Sequence, residues 1–153
     1  MPNEGNERSV SERLELVVRS HGEPPRPLRA LVVDDDDDFR VLLCGLLQRL
    51  GLETLEARHG HEAVYRVEEE RPDLMLLDHR MPGLLGAQIA RSLHATGNRL
   101  PVIMITGGDD VDEVAQEAGT SLRLAKPFSL LQLRETVLEA VGECCGAAEV
   151  REA

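Results

Sequence analysis

Four apolar runs in this chain end in groups able to do chemistry. Ala30-Leu31-Val32-Val33 leads into five consecutive aspartates, Asp34 to Asp38. Leu74-Met75-Leu76-Leu77 ends in Asp78, and Val102-Ile103-Met104-Ile105 ends in Thr106-Gly107-Gly108. Leu122–Ala125 ends in Lys126-Pro127. An acidic run is ordinarily a solvated face or tail, but this one closes a strand-like run and opens a helix-like one. Carboxylates fixed at a strand end repel one another unless a cation sits among them. Clustered carboxylates suit a hard divalent cation such as Mg²⁺, which takes oxygen ligands and keeps several waters. A hydroxyl and an ammonium beside them offer a tetrahedral phosphoryl group a hydrogen-bond donor and a positive charge. An Asp in that company can attack phosphorus and form an acyl phosphate.

The elements that must bring these groups together alternate along the chain. Arg29–Val33 has the pattern of a strand, and Phe39, Leu42, Leu43, Leu46, Leu47 and Leu50 recur at helical spacing up to Gly51. Leu52–Ala57 predicts a strand, and Ala63, Val64 and Val67 mark a second helix. Leu74–Leu77 is a strand, Leu85–Ala95 a helix, and Val102–Ile105 a strand. A short helix near Asp110–Ala118, a strand near Leu122–Ala125 and a last helix carrying Leu130, Leu133, Val137 and Val141 complete the series. Strands alternating with helices imply a doubly wound α/β domain, a five-stranded parallel sheet covered on both faces. In such sheets ligands bind at the carboxyl ends of the strands, where strand order reverses. Asp34, Asp35, Asp78, Thr106 and Lys126 all fall at those ends.

Length and composition agree with a single domain. The chain has 153 residues, 42% hydrophobic and 29% charged, with a net charge of −11. Only 2% are aromatic, so Leu, Val, Ile and Ala must build the core. The acidic balance argues against direct nucleic-acid binding, which needs clustered Lys and Arg. Cys44, Cys144 and Cys145 make no disulfide framework, no stretch reaches membrane-spanning length, and the N-terminus has no apolar leader. A cytoplasmic protein is the expectation. Residues 1–27 look like an N-terminal extension and linker. There Ser9 and Glu12 fit a capping box, and Val10, Leu14, Val17 and Val18 fit one stripe of a short helix that docks or forms a homodimer, the alternative being a solvated tail. His21–Pro27 reads as a stiff linker. The main domain spans 28–142, and residues 143–153 read as a frayed tail.

LVVDDDDDFR, LMLLDHRMPGLLG, PVIMITGG and LAKPF, in that order on successive strand ends, resemble the receiver domain of bacterial response regulators, the family of the chemotaxis regulator, over residues 28–142. The resemblance implies a flavodoxin-like three-layer sandwich. It implies Asp78 as phosphoacceptor, Asp35 as a direct Mg²⁺ ligand, Asp34 holding the metal through water, and the Arg80 carbonyl as a further ligand. Thr106 matches the switch hydroxyl, the Gly107 amide a phosphoryl contact, and Lys126 the ammonium that pairs with phosphoryl oxygen. The peptide before Pro127 matches one that the family holds in cis. The implied partners are a sensor histidine kinase or histidine phosphotransfer protein, and a downstream protein docking on the fourth helix, fifth strand and fifth helix. With few residues after Val141, a stand-alone receiver signalling by protein contact or relay is the expectation.

Local roles suit the remaining aspartates: Asp36 fits an N-cap, with Asp37 and Asp38 in the first helical turn. Asp109 and Asp110 fit caps of the short fourth helix. Four features depart from the family pattern. Arg123 stands where the family keeps an aromatic ring, which points to a surface contact instead. Arg80 is expected to reach back to Asp34 or Asp35 when metal is absent. The segment from Thr106 to Gly119 is short, and Leu85 replaces an acidic residue. His59 and His61 read as surface residues and His79 as a rim residue. Two alternatives remain: a degenerate receiver acting as a binding module, and a haloacid-dehalogenase-type phosphatase. In the latter Asp34 attacks and Asp36 serves as acid–base, which leaves Asp78 without a role.

Overall fold

The computed structural model describes residues 14–18, 26–81, 83, 85–143 and 148–152. In chain order the elements are β1 (Leu14–Val18), β2 (Arg26–Pro27), β3 (Arg29–Val33), α1 (Asp37–Arg49), β4 (Glu53–Ala57), α2 (Gly60–Glu70) and β5 (Leu74–Asp78). These are followed by α3 (Gly86–Ala95), β6 (Val102–Thr106), α4 (Val111–Ala118), β7 (Arg123–Ala125), α5 (Leu130–Glu143) and β8 (Ala148–Glu152). The main sheet is parallel with strand order β4-β3-β5-β6-β7. The chain runs outward from β3 to β4 and then crosses back to β5. The loops after β3 and β5 therefore diverge and leave a crevice at the carboxyl edge.

Side-chain alternation along each strand separates two cores. Ala30 and Val32 of β3, Leu74 and Leu76 of β5, and Ile103 and Ile105 of β6 pack under α1 and α5. Leu31, Val33, Met75, Leu77, Val102 and Met104 face the other way, under α2, α3 and α4. Each central strand is thus apolar throughout because each of its faces meets a helix layer. β4, at the sheet edge, alternates instead, with Glu53 and Glu56 exposed and Ala57 buried.

Helix starts follow local chemistry. Asp36 caps α1 by accepting hydrogen bonds from the N–H groups of Asp38 and Phe39, at 3.0 and 3.2 Å. At α2, His59 Nδ1 accepts from the Glu62 N–H at 3.3 Å, and the residue is exposed.

The chain termini differ from expectation. Leu14–Val18 forms a strand rather than part of a helix, and Ala148–Glu152, expected to fray, pairs with it antiparallel from Leu14↔Glu152 to Val18↔Ala148. Arg26–Pro27, read as linker, pairs with Val17 and Val18 on β1's other side. A ladder partner more than a hundred residues away is invisible to local periodicity. Ser9, Val10 and Glu12, and the pair Cys144 and Cys145, lie outside the described residues.

Candidate functional site

β3 and β5 deliver Asp34 and Asp78 to the crevice, and β7 delivers Lys126. The Asp34 N–H donates to the Ala57 carbonyl at 3.1 Å, the His79 N–H to the Ile105 carbonyl at 2.9 Å, and the Lys126 N–H to the Thr106 carbonyl at 2.8 Å. The sheet ladder thus continues past each strand end and fixes these residues. Carboxylate oxygens of Asp34, Asp35 and Asp78 lie within 4.8 Å of one another, with Asp34 and Asp78 buried and Asp35 exposed. Lys126 Nζ sits 3.3 Å from Asp78 Oδ1 and 3.5 Å from Asp34 Oδ2. The Lys126–Pro127 peptide is cis.

One ammonium does not offset this much buried charge. Burial, and then the charge of Asp34, push the Asp78 carboxyl up to about 6, with Lys126 opposing. Burial also raises Asp34, against the Asp36 N–H that donates to its Oδ1 at 2.9 Å and against Lys126. Asp34 Oδ2 is buried and accepts no hydrogen bond. A buried carboxylate oxygen faced by one ammonium at 3.5 Å, together with two further carboxylates, is the donor set of a hard divalent cation. The residues present fit such an ion.

Behind the pocket stand two residues that sequence reasoning passed over. Arg40, on α1, is buried, and its NH1 donates to the Asp34 carbonyl at 2.8 Å. Its NH2 donates to Asp37 at 2.6 Å and its Nε to Glu56 at 2.9 Å. The Asp37 carboxyl is lowered by the hydrogen bond from Arg40 and by the charge of Arg58. Asp37 therefore does more than favour the helix dipole: it anchors the cation that clamps the β3–α1 turn. Phe39 lies under Lys126, whose Nζ is 4.0 Å from the ring centroid, and meets Phe128 edge-on at 6.2 Å. A lone Arg in a Leu-rich helical stripe was the available signal for Arg40. The Phe39–Lys126 contact spans elements and had none.

On the far side of the crevice Thr106 is fully buried, and its hydroxyl donates to Asp110 Oδ1 at 3.4 Å. Arg80 does not reach back to Asp34 or Asp35. Its NH2 lies 3.6 Å from Asp110 Oδ2, because Asp110 stands at the start of α4, across the mouth from the β5–α3 loop. Gly107 follows Thr106 and is exposed. His79 is buried rather than at the rim, and its Nδ1 accepts from the Ala87 N–H at 3.3 Å. Gly86 is required beside it, since a Cβ there would come within 2.4 Å of the Asp78 carbonyl oxygen. Arg123 stays at the surface, paired with Asp112 of α4 and donating to the Ser121 carbonyl at 3.0 Å. On α5, Leu131 is exposed, whereas Leu138 packs against the core. Among the described residues no helix is long and apolar enough to cross a membrane.

Comparison with known proteins agrees with this geometry. Residues 30–138 match the family model described as the response regulator receiver domain. Sporulation initiation phosphotransferase F of Bacillus subtilis is 33% identical over 111 residues, 71% of this chain and 90% of that protein. Response regulator MprA of Mycolicibacterium vanbaalenii is 39% identical over 109 residues, which is 70% of this chain but only 47% of that protein. Among solved structures, the receiver domain of NtrX from Brucella abortus aligns with a TM-score of 0.69 at 31% identity, covering 74% of this chain and 98% of that one. The Vibrio cholerae chemotaxis protein CheY4 aligns with a TM-score of 0.67 at 25% identity, with the same coverage of 74% and 98%. With its strand order, its acidic crevice and these matches, the chain belongs to the receiver domain family of two-component response regulators.

Proposed function

We propose that Asp78 accepts a phosphoryl group from the phosphohistidine of a sensor histidine kinase or histidine phosphotransfer protein. The observation that carries this reading is the Asp78 carboxylate at the end of the central strand, with a lysine ammonium 3.3 Å away and two further carboxylates converging on it. An Asp78 oxygen forms the new bond to phosphorus as the bond from phosphorus to the donor imidazole nitrogen breaks. The nitrogen keeps the electron pair and is protonated from solvent. Asp78 must be ionised to attack, and Lys126 supports that by lowering its raised pKa. Lys126 then offers its charge to a phosphoryl oxygen, while the Thr106 hydroxyl and the Gly107 amide are the donors proposed for the others. Asp34, Asp35, Asp78 and the Arg80 carbonyl would hold Mg²⁺, as receiver domains generally do at an acidic pocket. Bound there, the ion neutralises charge on the carboxylates and the transferring oxygens.

The product is a change of state rather than a released molecule, read by a protein partner on α4, β7 and α5. Arg123 and Asp112 border a groove of about 450 Å³ on that face, together with Thr120 and Ser121. The phosphatase alternative asks Asp36 to act as acid–base, yet its Oδ1 is occupied by two helix N–H groups. Incubation with Mg²⁺ and acetyl phosphate, followed by peptide mass spectrometry, tests the reading. Phosphate on Asp78, lost in Asp78→Asn, is the expected result. Label on Asp34 with turnover would instead favour the phosphatase.

A further inference from the structure

We propose that Asp110 is a positioning residue that holds the Thr106 hydroxyl and the Arg80 guanidinium away from Asp78 until a phosphoryl group arrives and takes them over. The proposal rests on the phosphoacceptor reading above and concerns what sets its rate. A threonine hydroxyl has one proton. In this structure it is given to Asp110 Oδ1 at 3.4 Å, while the Thr106 hydroxyl oxygen itself accepts the Gly108 N–H at 3.3 Å. Donation to Asp110 and donation to a phosphoryl oxygen are therefore mutually exclusive.

The backbone gives Asp110 a capping position that its side chain does not use. It is the N-cap residue of α4, with φ −94° and ψ 16°, and its carboxylate makes no capping hydrogen bond. An aspartate there ordinarily accepts from the first-turn N–H groups. Here the carboxylate instead turns across the crevice, to Thr106 on one oxygen and Arg80 on the other. Its carbonyl accepts from the Val114 N–H at 2.9 Å, which ties the residue to α4. The Asp110 backbone is thus anchored, and the contacts its carboxylate makes with Thr106 and Arg80 are the parts that can exchange.

Gly108 makes the arrangement sterically open. A Cβ at that position would stand 2.6 Å from Asp110 Oδ1 and 3.1 Å from Arg80 NH2. Both clashing atoms are ends of flexible side chains, so an alanine would displace the Asp110–Arg80 contact without moving the backbone. Contacts of 3.4 and 3.6 Å are long, and long contacts are readily exchanged for the shorter charge-assisted ones that a dianionic phosphoryl group offers.

The test uses the full chain with Mg²⁺ and acetyl phosphate and follows label on Asp78 against time by mass spectrometry. The phosphoryl group passes to Asp78 and acetate leaves with the electron pair of the broken bond. Asp110→Ala and Gly108→Ala should each raise the labelling rate about threefold to tenfold, the worth of one released hydrogen bond. Asp110→Asn, which keeps an acceptor for Thr106 but not the charge for Arg80, should fall between them and the wild type. In a Thr106→Ala background the gain from Asp110→Ala should shrink to less than about twofold, because no hydroxyl remains to be released. An equal gain in both backgrounds would overturn the proposal and leave Asp110 as a mere negative charge near the site. So would wild-type rates in both Asp110→Ala and Gly108→Ala. Should Asp110→Ala fail to fold, by thermal melting, Gly108→Ala still decides. Wild-type protein that labels normally while the variants do not differ refutes only the role of Asp110. Wild-type protein that takes no label at Asp78 refutes the phosphoacceptor reading and this inference with it.

Discussion

The two sides of the crevice are built to different tolerances. On the β3–β5 side, Lys126 is held by two carboxylates at 3.3 and 3.5 Å and by the Phe39 ring at 4.0 Å. The Asp34 carbonyl beside it is clamped by a buried arginine at 2.8 Å. On the α4 side, Thr106 and Arg80 share one carboxylate through contacts of 3.4 and 3.6 Å, and the Arg80 side chain is 68% exposed. Several buried partners must be lost together before the first side moves, whereas the second side exchanges one partner at a time in contact with water. Under the proposed function, the rigid side would set where phosphoryl chemistry occurs, and the loose side would be where the molecule responds to it.

That contrast can be broken from either side. Lys126→Met removes the ammonium from the rigid side and should slow labelling by acetyl phosphate about a thousandfold, as losing a preorganised charge donor does. A loss of less than about tenfold in a time course would show that Lys126 does not meet the transferring group. Next in size is the strain of uncompensated charge. A folded-state pKa for Asp78 of about 6, against an ordinary 3.8, means the native protein binds the proton more tightly than the unfolded chain. The associated stability is fully present below about pH 4 and is lost as pH rises through 6. Without divalent cation, wild-type stability should therefore fall by up to about 3 kcal/mol between those limits, and Asp78→Asn should flatten the profile. Urea melts across pH measure this directly; parallel profiles for the two proteins would contradict the charge assignment.

Arg40→Ala should cost about 2 kcal/mol in the same melts, because the Asp34 carbonyl loses its buried donor. It should also blunt the stabilisation by Mg²⁺, since the Asp34 turn would be held less firmly. Unchanged stability would mean that Asp37 and Glu56 do not lock the guanidinium. The smallest effect belongs to the proposed output face. Arg123→Ala removes an exposed pair with Asp112 and should change stability by less than about 0.5 kcal/mol. It should leave the Asp78 labelling rate at the wild-type value. A large change in either would place Arg123 in the rigid part of the molecule.

Strand ends were legible because two signals coincide in them: a continuous apolar run and an abrupt switch to Asp, Thr or Lys. Asp34, Asp35, Asp78, Thr106 and Lys126 were located this way, and so was the capping role of Asp36, which depends only on neighbours in the chain. The doubly wound architecture was legible for the same reason, since alternating periods of two kinds leave few ways to bury both faces of a sheet. His79, Arg40 and Asp110 were misjudged or missed because their partners come from other elements. Local patterns made His79 a rim residue, Asp110 a helix cap and Arg40 nothing in particular. The β1–β8 ladder was missed for the same reason, its strands joining opposite ends of the chain.

The order of the elements from β3 to α5, the two-faced core and the identity of the groups at the carboxyl edge were therefore determined by the sequence itself, because hydrophobic periodicity and capping are local properties. Which cation answers which carboxylate was decided only by the tertiary structure. Lys126 meets Asp34 and Asp78, Arg40 meets Asp37 and Glu56, and Arg80 meets Asp110 rather than Asp34. Charge pairing depends on distance through space, and distances between residues far apart in the chain exist only once the sheet has closed and the helices have packed on it.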